Sequence, residues 1–135
     1  MNLPSEDIRH ILEAYGDSSG LDVEFADNLF LNREPAKPDN CITIFDTVGS
    51  PPDLGLTDTG LEYPSIQIRV RNRKQQDASS IIEGIKTALH GRAQETWNGT
   101  LYSVIYCSSG PALLDWDDNG NVRFIINFRI IRRSV

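Results

Sequence analysis

Apolar residues at Ile8, Ile11, Leu12 and Tyr15 fall at i, i+3, i+4 and i+7, one stripe along an amphipathic helix. Pro4-Ser5-Glu6-Asp7 supplies a capping residue and first-turn acids, and Gly16 is the expected stop. A weak strand is predicted around residues 29–32. A firmer one, CITIF, covers 41–45 after the turn-rich REPAKPDN. In SIQIRVRNRK, Ile66, Ile68 and Val70 point one way and Gln67, Arg69 and Arg71 the other, so this period of two predicts a half-buried strand. A second helix is predicted over 78–90, capped by Asp77. Its stripe is Ala78, Ile81, Ile82, Ile85, Ala88 and Leu89, and His90-Gly91 ends it. TLYSVIYC, 100–107, reads as a strand followed by a turn at Ser108-Ser109-Gly110. Asn119-Gly120 after acidic residues signals a hairpin into a last strand, NVRFIINFRIIRR.

Between the 41–45 strand and the arginine-bearing one lies DTVGSPPDLGLTDTG, residues 46–60. Pro51-Pro52 and three glycines predict a loop there, long enough to reach another molecule. Asp46, Pro51, Pro52, Asp53, Leu54, Leu56 and Asp58 are its candidate contact residues. The order of elements predicts an α+β single domain, a mostly antiparallel sheet with two helices on one face. At 135 residues the chain suits one core.

Charge sharpens this picture. The net charge is -6, yet residues 1–63 hold 13 acidic and 3 basic side chains, whereas 64–135 hold 6 acidic and 10 basic. Such a split suits either head-to-tail contact between copies or a fold that intermixes the two halves in space. No apolar run reaches the roughly 20 residues that span a bilayer, and the N-terminus lacks the blocks of a signal peptide, so a cytosolic chain is expected. Cys41 and Cys107 sit in predicted strands and are expected to be buried free thiols.

Little in the sequence points to catalysis. His10 and His90 lack Cys or His partners at zinc spacing. Ser108-Ser109-Gly110 lacks a GxSxG context. Asp115, Asp117 and Asp118 resemble a fragment of a calcium loop, but Trp116 interrupts them and Ile126 occupies the closing position. No phosphate-binding glycine motif occurs, so neither an enzyme nor a cofactor is expected.

The arginines remain. Arg69, Arg71 and Arg73 recur at intervals of about 6.7 Å on one strand face, predicted to point outward. On the last strand Arg123, Arg129 and Arg133 share a parity with Ile125 and Ile131. With apolar residues on both faces of FIINFRII, a partner subunit is one way to cover the second face. A solvated face with scattered arginines is another. A nucleic-acid grip is a third, which the acidic balance opposes.

In order and spacing, three stretches resemble the tail terminator proteins of long-tailed bacteriophages. They are PSIQIRVRNR with its following helix Ala78 to Gly91, CITIFDT with its Pro- and Gly-rich loop, and GPALLDWDDNGNVRFIINFRIIRR. The resemblance implies a small α+β structural protein of the virion, assembled in the host cytoplasm and placed at the head-proximal end of the tail. It implies a homohexameric ring that stops tail-tube polymerisation and presents a surface to the head-side connector, with DNA passing through unread. It implies partners in the tail tube protein, the connector and further copies of itself, with no membrane. A head-side stopper or adaptor is the nearest alternative, and a nucleic-acid-binding regulator a more distant one.

Overall fold

The computed structural model describes residues 1–53 and 60–135. Among the described residues it contains α1 (Pro4–Ser19), β1 (Leu29–Leu31), β2 (Cys41–Ser50), β3 (Tyr63–Asn72), α2 (Gln75–Leu89), β4 (Arg92–Trp97), β5 (Thr100–Trp116) and β6 (Val122–Ser134). The strands form one sheet in the order β1-β2-β3-β6-β5-β4. β1 runs parallel to β2, and every other pairing is antiparallel. The expected α+β fold is therefore present.

One sheet face carries the core. Ile42 and Ile44 of β2, Ile66, Ile68 and Val70 of β3, and Ile126, Phe128 and Ile130 of β6 are buried against Ile8, Ile11 and Leu12 of α1 and Ile82, Ile85 and Leu89 of α2. The predicted stripes and alternations thus meet in one cluster. Because β6 keeps strict alternation, its odd residues, Arg123 to Arg133, line the opposite, outer face.

Four local expectations give way. α1 does not stop at Gly16 but continues to Ser19, ending at Gly20 with φ 84°. Gly16 serves a close approach instead, since a Cβ there would lie 2.5 Å from the Leu21 carbonyl oxygen. α2 begins at Gln75 with Lys74 in the capping position, so Asp77 sits in its first turn, where an acid favours the helix dipole. The Ser108-Ser109-Gly110 turn is absent: β5 runs through it to Trp116, absorbing the extra residues in irregularities of register between Cys107 and Ala112. β4 was not anticipated. It pairs with β5 through a two-residue turn, Asn98-Gly99, whose φ angles are 50° and 79°.

The predicted 46–60 loop also begins later, because β2 extends through Ser50. Asp46 lies within that strand, and its carboxylate accepts the Ser5 N–H at 2.9 Å and the Ser5 hydroxyl at 2.6 Å. It caps α1 from outside the helix, where the helix's own N-cap, Leu3, offers no side-chain acceptor. Asp46 is therefore not part of an interaction arm. Pro51 and Pro52 are exposed, Asp53 accepts the Tyr63 hydroxyl at 2.9 Å, and Leu54, Leu56 and Asp58 lie outside the described residues.

Candidate assembly surface

The outer face of the sheet gathers most of the residues singled out by sequence, but not on equal terms. Arg71 and Arg123 stand directly opposite each other on β3 and β6. Two adjacent guanidinium groups repel, and Glu34 resolves this by bridging them, at 3.0 Å to Arg71 and 2.8 Å to Arg123. Arg71 is only 5% exposed, and it further donates to the carbonyls of Asp39 at 2.9 Å, Pro35 at 2.7 Å and Pro38 at 2.8 Å. Arg123 reaches Asp115 at 3.2 Å as well. Hydrogen bonding to Glu34 pushes its guanidinium further up, despite partial desolvation.

Arg73 lies just beyond the end of β3 and grips Asp39 at 2.5 Å, while Lys37 holds the other oxygen of that carboxylate at 3.0 Å. Hydrogen bonds from Lys37 and Arg73 lower Asp39 to about 2. The expected outward row of three arginines is thus broken up. Arg71 and Arg73 pin the 33–40 segment onto one end of the outer face, and Arg69 alone of the three stays available.

Arg69 stacks its guanidinium 4.8 Å from the Phe45 ring centroid and donates to Gln67 at 3.0 Å. Gln67 in turn donates to Asn127, and Asn127 to Ser109, a neutral polar strip across β3, β6 and β5. Arg129 and Arg133 are exposed on β6. Among the described residues none of Arg69, Arg129 and Arg133 has an acidic partner. Ile125 lies between Arg69 and Ala112, and Ile131 lies beside Val104, all half-buried or exposed. The surface is therefore cationic and apolar together, in a chain of net charge -6.

Sequence reasoning missed one polar cluster on the core side. Arg132, 6% exposed, pairs with Glu62 at 3.0 Å and donates to the Asn2 carbonyl at 2.9 Å. Next to it, the Tyr102 hydroxyl donates to Asp7, which is fully buried and also accepts from Asn98 at 2.7 Å. Burial, and then the bond to Asp7, push the Tyr102 hydroxyl well above its ordinary value. With every member satisfied, this cluster ties α1 to β5 and β6 and exposes no reactive group. Its signal was the parity of Arg132, a charge among Ile126, Phe128 and Ile130.

A family model described as bacteriophage tail terminator protein matches residues 8–133. The chain belongs to the bacteriophage tail terminator family. The family is a structural one of the virion, so the chain is a phage structural tail protein. In fold it is similar to a solved chain from a "Virion of native gene transfer agent (GTA) particle", with a TM-score of 0.71 over 98% of this chain and 96% of that one. Identity between the two is 14%, so that likeness speaks for the fold. No curated protein sequence matches the chain.

Proposed function

We propose that the chain closes into a homohexameric ring at the head-proximal end of the tail, caps the tail tube, stops its polymerisation and presents the surface that the head-side connector meets. The family match across nearly the whole chain supports the terminator role. The observation that carries the assembly reading is the outer sheet face. There Arg69, Arg129 and Arg133 stand without acidic partners among the described residues, interleaved with Phe45, Ile125 and Ile131. An apolar surface set with unpaired charge fits contact with another subunit or the wall of a channel. In a channel wall, the arginines would pass DNA phosphates without reading bases.

The test is a null allele in the producing phage. Tails of abnormal length that fail to join heads support the terminator role, whereas normal tails beside heads that leak DNA would assign the chain to the head side. The triple variant Arg69→Glu/Arg129→Glu/Arg133→Glu is expected to keep its fold by circular dichroism while losing incorporation into tails. Normal incorporation would remove the outer face from assembly. Loss of salt-sensitive DNA binding as the sole defect would favour a nucleic-acid-binding regulator.

A further inference from the structure

Two features at opposite edges of the sheet remain without a role. At one edge β4 covers β5 only from Thr100 to Ile105, leaving the strand beyond it as a free edge. That edge ends in Leu113, Leu114 and Trp116, which are 53%, 40% and 52% exposed. Beside them Asp118 is exposed and has no partner among the described residues. At the other edge, three-residue β1 and the 33–40 segment border an open groove of about 770 Å³, lined by Phe25, Phe30, Leu31, Pro35 and Ala36 together with the Glu34–Arg71 ion pair. Arg33 stands on its rim, exposed and without an acidic partner among the described residues.

From these we infer that copies of the chain join head to tail, the Leu113–Trp116 end of β5 in one seating in the β1-edge groove of the next, with Asp118 against Arg33. The two surfaces match in chemistry: an apolar projection flanked by an acid meets a groove whose apolar side chains surround an internally paired Glu34–Arg71 and whose rim carries the unpaired cation Arg33. The groove's volume lies within the range that encloses small ligands, enough for a tryptophan and a leucine side chain. A chain cannot satisfy its own groove: β1 and β5 are four strand positions apart, roughly 19 Å. Both features lie at the same end of the sheet, because Trp116 pairs with Val122, Val122 with Asn72, and the neighbouring Arg71 with Cys41 at the start of β2. A contact between different patches does not stop at a pair: it repeats from copy to copy, and where its rotation closes it makes a ring.

This inference rests on the ring reading above and names its joint. Sedimentation of the full chain across a concentration series, together with cross-linking of purified tails, tests it. The wild type should associate, and Leu113→Ser/Trp116→Ala should weaken association about tenfold or more at an unchanged fold. Arg33→Glu and Asp118→Arg should each weaken it, and the two changes together should restore it. Wild-type association that ignores all of these variants overturns the joint while leaving the ring intact. Cross-links from Trp116 to the tube protein instead of to another copy also overturn it. A chain that stays monomeric in solution and gives no multiples in tails overturns both joint and ring.

Discussion

Glu34 shows how much one side chain can decide. It neutralises two opposed arginines and, through them, fixes the segment that covers one end of the outer face. Replacing it with Gln leaves Arg71 nearly buried without a countercharge, although four backbone carbonyls still accept from it. Glu34→Gln is expected to cost about 2–4 kcal/mol in urea unfolding. Arg69→Ala, which removes a half-buried stack on Phe45, should cost about 1 kcal/mol. Asp39 adds a pH signature. Its folded carboxyl lies at about 2, below the ordinary value of 3.8, so its contribution is complete above the ordinary value and fades as pH falls toward 2. The stability difference between wild type and Asp39→Asn should therefore shrink between pH 4 and pH 2, followed by thermal unfolding. Sequence alone could not see these roles, because periodicity tells which face a residue occupies and not which carboxylate the fold brings to it.

At the scale of elements, the regular stripes were legible and the interruptions were not. α2 and the β3 and β6 strands followed from alternation and helical spacing, since each buries one face against the same core. β4 was not read, although Asn98-Gly99 between Arg92–Trp97 and Thr100 onward carries a hairpin signal, because its polar residues mask it as a strand. β5 misled because Ser108-Ser109-Gly110-Pro111 has the composition of a turn, while the sheet tolerates it as an irregularity. Gly110 makes that possible with φ 90°, and a Cβ on it would come within 2.8 Å of the Ile125 carbonyl oxygen. Gly110→Ala should destabilise by about 1–3 kcal/mol, measured by denaturant titration. Asp46→Ala should cost about 0.5–2 kcal/mol through α1, seen as a lower melting temperature.

Across the whole molecule, charge is neither segregated as the sequence halves suggest nor fully mixed. Acids of the first half are drawn onto basic residues of the second at Glu34, Asp39 and Glu62. Among the described residues, the arginines that stay without an acidic partner are informative: Arg69, Arg129 and Arg133 on the outer face and Arg33 at the groove rim, while acids crowd about Glu24. There Asp27, and less strongly Asp22 and Glu13, raise the Glu24 carboxyl above its ordinary range. The candidate surface was thus half legible. Strand parity put Arg123, Arg129, Arg133, Ile125 and Ile131 on one face, whereas the withdrawal of Arg71 depends on a segment with no periodicity to read.

The strand order has one more consequence. β6, the last strand along the chain, lies between β3 and β5 at the centre of the sheet. A growing polypeptide that has yet to extend past Asn121 holds two separate pieces, β1–β3 with α1 and β4–β5, each with a bare inner edge. Such edges invite pairing with other nascent chains. Their joining waits on contacts spanning about sixty residues, such as Ile66 with Phe128, so folding is expected to be slow for a domain of this size. A ribosome-stalled chain ending before Val122 should stay protease-sensitive, and protection should arrive in one step once β6 has emerged.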